Sequence, residues 1–394
     1  MIWVSRDSKK GSLPIKSWCA APDEGAVRQA MNLADHPATF HHIAMMPDAG
    51  KGFGMMIGGV MACRDAIIPS AVGYDIGCGM IAAPTKLSHL DEDELRWIID
   101  EIKRRIPVGF NRHQEPQEWH GFDSAPNIRV VQSELENARK QLGTLGSGNH
   151  FIEIQKGDDG QIWVMIHSGS RHLGHEIASE FMATAEAQCD QWHSKLPPGR
   201  KDDSLAFLPT GTDAGKIYIQ AMDFALKYAQ ANRDAMMATV QSIFNEHCTS
   251  APFGTAVNIH HNFAALEHHF GEDVWVHRKG ATQAREGQTG IIPGSMGTAS
   301  YLVQGLGNRE SFDSCSHGAG RPCSRTAFKN SHTIEECEAS MKGIVFGGWG
   351  VDRRGNPDIS EAPGAYKDIE TVMAAQEDLV RPLLKLTPIG VVKG

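Results

Sequence analysis

His317 is the first residue of this 394-residue sequence whose setting suggests chemistry. It lies in "FDSCSHGAGRPCSR" (312–325), with Gly318 and Gly320 beside it and Arg321 and Arg325 a short reach away. Glycine lets a backbone approach a ligand closely, and arginine grips phosphate through paired hydrogen bonds. Together they suit an imidazole that meets a phosphate group. A polar loop that merely holds a histidine would read the same way in isolation, so the rest of the chain must decide.

Three further segments offer metal-ligand types. In "GYDIGCGM", Asp75 and Cys78 are three residues apart in a glycine-flanked turn that lets both side chains converge. In "GSGNHFIEIQKGDDGQIWVMIHSGSR", apolar and polar residues alternate on two arms around "GDDG", which reads as a β-hairpin. With Asp158 and Asp159 as the two turn residues, His150 is expected directly opposite His167, a Cβ separation of about 4.5–5.5 Å. In "NIHHNF", His260 and His261 are adjacent, and in a strand only one of them faces a given side. One Asp, one Cys and three histidines suit Zn, Mn, Fe or Co and are poor ligands for Mg or Ca. A thiolate can bridge two ions, and paired metals about 4 Å apart recur in phosphoryl and nucleotidyl transfer. The nineteen histidines make chance clustering a competitor, but each candidate sits beside Gly, Ser or Asn in a loop or at a strand end.

A glycine- and serine-rich stretch, "PGSMGTAS" (293–300), offers N–H groups and hydroxyls to a phosphate or base edge, although no GxxxxGK[ST] loop occurs. Tyr366 in "APGAYKD" is a stacking surface or an ordinary packed ring, and Lys393, near the end of the sequence, reads as a solvated lysine.

These segments need elements to position them. "DEDELRWIIDEIKRRI" (91–106) predicts a helix with acids in its first turn and bases in its last, stopped by Pro107. Long amphipathic helices are expected over 175–195 and 214–247. The stretches 43–85, 146–170, 273–305 and 343–350 read as strand-like and glycine-punctuated. Strands and helices do not alternate regularly, which argues against a doubly wound parallel sheet. The expectation is one mixed α+β domain over 1–394.

Hydrophobic content of 41% with 22% charged residues is that of a globular protein, and no apolar run nears the ~20 residues of a membrane span. The first residues lack a signal-peptide pattern, so a cytoplasmic protein is expected. Its eight cysteines form no CxxC pair and should be reduced there, each more a ligand or nucleophile than a bridge partner. A net charge of −9 argues against a broad positive field for nucleic acid. A local basic groove remains open, built from the clusters at 103–105, 199–201, 277–279 and 352–354.

Taken together, "HIAMMPD", "IIPSAVGYDIGCG", "GTLGSGNHFIEI", "HSGSRHLGHEIA", "HHN", "RKGA…GIIPGSMGTASY", "CSHGAGRPCSR", "APGAYKDI" and "VVKG" resemble the RtcB family of RNA-splicing ligases almost end to end. The resemblance implies an RtcB-type α+β domain with antiparallel strands around a central metal cleft. It implies that His317 attacks the α-phosphate of GTP and becomes guanylylated. GMP then passes to an RNA 3′-phosphate, giving RNA(3′)pp(5′)G, and a 5′-hydroxyl RNA end displaces it; a 2′,3′-cyclic phosphate is first hydrolysed. Two Mn²⁺ ions are implied, one on Asp75, Cys78 and His150, the other on Cys78, His167 and His261, with the thiolate bridging. That choice favours His261 over His260.

For the guanine nucleotide the similar positions are Asn149, Phe151, Glu153, Asn262, Pro293, Gly294, Ser295, Met296, Ser300, Gly318, Ala319 and Gly320. Tyr366 would stack, Lys393 would reach the base edge, and Glu153 would accept from guanine N1 and N2, which adenine cannot match. Arg171, Arg321 and Arg325 are implied phosphate or RNA clamps, and Asp48 would handle the imidazole proton. The implied partners are GTP and RNA ends, with no membrane; an activating protein is left open, and a monomeric chain is expected. Members usually read PDVH where this chain has "MPDAG", so Gly50 replaces a common histidine. That departure keeps a second reading open, a nucleotidyltransferase that caps 3′-phosphates without efficient sealing. A third is a non-catalytic RNA-end binding protein, against which the intact ligand and nucleophile set argues.

Overall fold

The β-patterned segments pair into two large, mostly antiparallel sheets. A computed structural model describes residues 1–5, 12–197, 204–247, 252–350 and 357–394. The basic clusters at 199–201 and 352–354, and Cys248, lie outside them. Among the described residues one sheet runs Trp3–Ser5, Ile15–Ser17, Thr39–Gly50, Ile57–Cys63, Glu272–Lys279 and Asn262–His269. The other runs Val257–His260, Gly79–Pro84, Ile162–Ser168, Phe151–Gly157, Val380–Lys393, Ser300–Gly305 and Thr289–Ile292. Val345–Phe346 pairs in parallel with Val380–Lys393, and it is all the strand that the stretch 343–350 contains. The expected mixed α+β class with antiparallel strands is what forms.

Helix Glu92–Arg105 matches its expectation, with a capping box between Asp91 and Glu94 that satisfies two orphan N–H groups. Helix Asp213–His247 packs apolar residues into two cores. Tyr218, Met222 and Tyr228 meet helices Arg129–Gln141 and Arg171–Gln191, while Met236, Val240 and Phe244 meet the second sheet. The Arg171–Gln191 helix starts four residues before the expected 175, because Arg171 follows Ser170 directly into helix despite its left-handed φ of +56°. No helix among the described residues is long and apolar enough to cross a membrane.

The hairpin register differs from expectation by one residue. Three residues, Asp158–Gly160, close the turn instead of two; Gly157 N–H donates to Gln161 O at 2.9 Å, and Gly160 takes φ +84°. A three-residue loop with glycine in the left-handed position is a regular hairpin closure. Phe151, not His150, therefore lies opposite His167.

The cluster at 277–279 forms no basic groove. Arg278 and His277 are fully buried and Lys279 is nearly so, and the Arg278 guanidinium grips Glu267 bidentately at 2.5 and 3.0 Å. It also donates to Phe312 O and Ser314 Oγ, both at 2.8 Å, and so anchors the strand Ser314–Ser316 that leads to His317. Removing one partner of a buried ion pair strands the other charge. Glu267→Ala is expected to cost about 3–5 kcal/mol of stability, read from the urea midpoint. A loss under about 1 kcal/mol would mean that Arg278 finds water or another acceptor.

Candidate active site

Three neighbouring strands, Val257–His260, Gly79–Pro84 and Ile162–Ser168, bring ligand residues to a common end. Cys78 immediately precedes the central strand, and His167 sits near the end of the third, where Met80 is its register partner. The chain crosses from one large sheet to the other at His261, whose N–H donates to Cys78 O at 2.8 Å and whose carbonyl accepts from Ala281 N–H at 3.2 Å. His150 lies one residue outside the hairpin ladder. The shifted register therefore does not turn it away, and its ring centroid is 5.2 Å from that of His167.

The resulting cluster is tight, and all of it but the half-buried Asp75 is buried. His150 Nε2 is 3.1 Å from Asp75 Oδ2 and 3.4 Å from Cys78 Sγ. His167 Nε2 is 3.2 Å from the same sulfur and 3.3 Å from His261 Nε2. Two overlapping groups result: Asp75–Cys78–His150 and Cys78–His167–His261, each with ligand atoms within 4.8 Å of one another. Cys78 belongs to both.

The protonation pattern tests whether these residues fit a metal. His150 Nδ1 faces Leu145 O at 2.9 Å and His167 Nδ1 faces Asn149 O at 3.1 Å, so both rings donate from Nδ1 and turn the Nε2 lone pair inward. Burial holds His167 and His261 well below the usual histidine range, so both are neutral. The Nε2 atoms, the Cys78 sulfur and the Asp75 carboxylate face one another within 3.4 Å, an arrangement that a bound cation satisfies. The donor set fits a metal cluster.

Arg233 braces this arrangement, and nothing in the spacing of the motifs pointed to it. Its Nη1 donates to Gly77 O and Ser168 O, both at 2.9 Å, and its Nε to Asn258 Oδ1 at 2.7 Å. It thus ties together the three segments that carry Cys78, His167 and His261. His260 turns toward it, with Nδ1 3.1 Å from Arg233 Nη2, leaving His261 as the histidine that faces the cluster. The available signal was an arginine on the apolar stripe of a helix, between Ala229 and Met236.

His317 stands beside the metal groups, its ring centroid 4.8 Å from that of His261. Asp48 Oδ2 accepts from His317 Nδ1 at 2.6 Å and from its backbone N–H at 3.1 Å. The carboxylate orients the ring through Nδ1 and leaves Nε2 on the side away from it. Gly320 allows this contact. It has φ +70°, and a Cβ there would lie 2.4 Å from Asp48 O.

With that geometry in view, comparison with known proteins decides the family. The family described as tRNA-splicing ligase RtcB matches residues 29–394. The chain belongs to the RtcB family. It is 41% identical to an RNA-splicing ligase RtcB of Escherichia coli K12, covering 97% of each chain. It is 34% identical to a tRNA-splicing ligase RtcB of Pyrobaculum aerophilum, over 93% of this chain and 91% of that one.

The residues that the RtcB resemblance assigned to a nucleotide are held by separate local contacts. Gly318 passes Pro293, Ala319 joins the core against which Tyr366 packs, and Gly320 O accepts from Lys367 N–H at 3.0 Å. Met296 packs on Val391, and Ser300 Oγ accepts from Gly294 N–H at 3.3 Å and from Gln155 Nε2 at 3.2 Å. Gln155 in turn donates to Glu153 at 2.7 Å. Lys393 Nζ lies 5.5 Å from the centroid of the Phe151 ring and 3.4 Å from Glu361. Ser295 is tied to Thr298 within its own turn. Asn149 and Asn262 lie on the metal side instead. Asn149 O takes the His167 hydrogen bond, and Asn262 Nδ2 donates to Asp75 O at 3.1 Å.

Glu361 is the hub that the motifs did not single out. It accepts from Tyr366 OH, from Arg325 Nε at 2.7 Å and from Arg321 Nη1 at 3.4 Å, besides Lys393. Burial raises its carboxyl pKa, but Lys393 and Arg325 bring it down to about 2, so it is ionised. Arg321 also donates to Ser360 O at 2.7 Å, and Arg171 to Thr144 Oγ1 and Gly109 O, both at 3.2 Å. All three expected phosphate clamps are thus engaged by the chain's own acceptors.

Proposed function

We propose that this protein is a GTP- and Mn²⁺-dependent RNA ligase, acting as one monomeric catalytic domain over 1–394 in the cytoplasm. It joins RNA 2′,3′-cyclic phosphate or 3′-phosphate ends to 5′-hydroxyl ends through guanylylated His317. The observation that carries this reading is the setting of His317, with Nδ1 held by Asp48 and its ring against the metal cluster. Family membership supplies the RNA-ligase class.

In the first step His317 Nε2 attacks the α-phosphorus of GTP. A P–N bond forms, the bond to the bridging oxygen breaks, and pyrophosphate leaves. Asp48 keeps the Nδ1 proton in place and offsets the positive charge that develops on the ring. An oxygen of the RNA 3′-phosphate then attacks the same phosphorus, and the P–N electrons return to Nε2. The 5′-hydroxyl finally attacks the RNA 3′-phosphate, and GMP departs. Metal ions held by Asp75, Cys78, His150, His167 and His261 would neutralise charge on the phosphate oxygens.

Glu153 would select guanine by accepting from N1 and N2. Burial pushes its carboxyl up to about 8, against the opposing pull of Lys393 and Gln155. It is therefore mostly protonated at neutral pH in the nucleotide-free protein, while accepting two hydrogen bonds requires the carboxylate. Affinity for GTP should rise with pH, by about 20-fold between about pH 6.5 and about pH 8.5, following the ionised fraction. Calorimetric titration checks this; Glu153→Gln should bind weakly with a flat profile. A flat profile in the wild type would remove Glu153 from guanine recognition.

Incubating the protein with Mn²⁺, GTP and RNA carrying 3′-phosphate and 5′-hydroxyl ends, then resolving products, tests the reaction. Joined RNA supports the ligase. Accumulated RNA(3′)pp(5′)G without joining supports the capping reading, which Gly50 favours. A Cβ at position 50 would have only Asp23 Oδ2 within 4 Å, at 3.8 Å, so a side chain can branch from the backbone there without a clash at its first atom. In that case Gly50→His should restore joining.

A further inference from the structure

Phe110 stands almost wholly in water, 96% exposed, while among the described residues the next large apolar side chain, Leu266, reaches 57%. Its backbone is nevertheless pinned on both sides. Gly109 N–H donates to Gly146 O at 2.7 Å, Gly109 O accepts from Arg171 Nη2, Asn111 N–H donates to Val108 O at 3.2 Å, and His113 N–H to Lys140 O at 2.9 Å. A loop fixed in this way presents the ring rather than leaving it unplaced. The loop adjoins the metal site, since a Cβ on Gly146 would lie 2.1 Å from Arg171 Nη1 and 2.6 Å from His150 Nδ1.

Independent rings lie on the helix that Arg171 opens and beside it. Tyr74, which precedes the ligand Asp75, stacks on His175 at a centroid distance of 5.0 Å, and His175 stacks on His172 at 6.0 Å. Phe53 closes the inner end of this row, 5.2 Å from Tyr74. Tyr74, His172 and His175 are all exposed. Exposed aromatic rings around a guanidinium that borders a cluster of metal-ligand types are an arrangement that suits single-stranded nucleic acid. Bases stack on the rings while the backbone phosphate meets the cation. A protein partner would call for one contiguous apolar patch, whereas two of these rings are histidines and His175 Nδ1 lies 3.3 Å from Glu176 Oε1.

We propose that Phe110 and the Tyr74–His175 pair stack unpaired bases of the RNA strand whose phosphate crosses Arg171. The proposal rests on the RNA-ligase reading for the identity of the strand. It explains how a chain with a net charge of −9 engages RNA without a broad positive surface. Terminal nucleotides are held by stacking, which tolerates any base sequence, beside the Arg171 guanidinium.

The test measures affinity of the full-length, metal-loaded protein for fluorescently labelled single-stranded RNA by anisotropy, without GTP, so that it reads binding whether or not ends are joined. Phe110→Ala and His175→Ala should each weaken binding roughly 5- to 100-fold, the range for loss of one base–aromatic stack, and Phe110→Trp should restore it. RNA with a single abasic nucleotide, scanned along the terminal positions, identifies the stacked base. At the matching position the abasic change and Phe110→Ala should weaken binding no further together than either does alone. Equal weakening of intact and abasic RNA at every position, or no weakening at all, overturns the proposal. So does a shift in sedimentation of Phe110→Ala at unchanged RNA affinity, which would mark Phe110 as a self-association contact. Joining by the wild type is scored separately: its failure with the base-specific coupling intact counts against the ligase reading and not against the stacking track.

Discussion

Cys78→Ser is expected to leave a folded protein whose bound metal, measured by mass spectrometry after dialysis against Mn²⁺, falls below half the wild-type value. Cys78 is the residue common to both three-ligand groups, with its sulfur 3.2 Å from His167 Nε2 and 3.4 Å from His150 Nε2. Serine nearly matches its volume, so packing changes little, but its hydroxyl does not ionise to a bridging anion near neutral pH. Losing one thiolate therefore weakens two sites at once. Guanylylation and joining should fall by at least about a hundredfold, since even an outer partner of a metal ligand is commonly worth 10- to 100-fold. Unchanged metal content with activity within a few-fold of wild type would make Cys78 an ordinary buried thiol. The two-group reading of the cluster would then have to be abandoned.

Asp48→Asn separates the nucleophile from the metals. The carboxylate oxygen accepts from both nitrogens of His317, side chain and backbone, and its other oxygen is buried with no partner among the described residues. An amide of the same shape keeps the loop in place but loses the charge that orients the ring through Nδ1 and stabilises a cationic ring. Where another enzyme's histidine loses its aspartate in this way, the rate falls about 10⁴-fold with little structural change. The rate of label transfer from GTP to protein should drop roughly 10³- to 10⁴-fold, while bound metal stays at the wild-type level. A drop in metal content of the same proportion would mean that Asp48 serves the cluster rather than His317.

What was legible in the sequence was the chemistry of residue types beside glycine-rich turns. Asp75, Cys78, His150, His167 and His261 do converge, and they do so from four separate segments. The reason first given for His150 and His167 was wrong in detail. Gly160 closes a three-residue turn and shifts the ladder by one, and the pair meets because His150 has already left the strand. Turn length depends on a single backbone angle, which hydrophobic alternation does not report. Helix Glu92–Arg105 was plain because its cap and charge pattern are local. Arg233 and Glu361 were not, because each acts through partners far away in the chain, such as Gly77 and Ser168 for the one and Lys393 for the other. The run 277–279 shows the converse case: three basic residues that read as surface lie buried, with Arg278 paired to Glu267.

The most direct measurement of the central claim is attachment of label from α-³²P GTP to the Mn²⁺-loaded protein, with peptide mapping of the labelled site. The predicted result is an acid-labile phosphoramidate on the peptide containing His317, absent from His317→Ala. Its label should be released onto RNA when 3′-phosphate ends are added. Labelling that survives His317→Ala, or metal-loaded wild type that takes up no label, would contradict the assignment of His317 as the nucleophile and with it the proposed reaction.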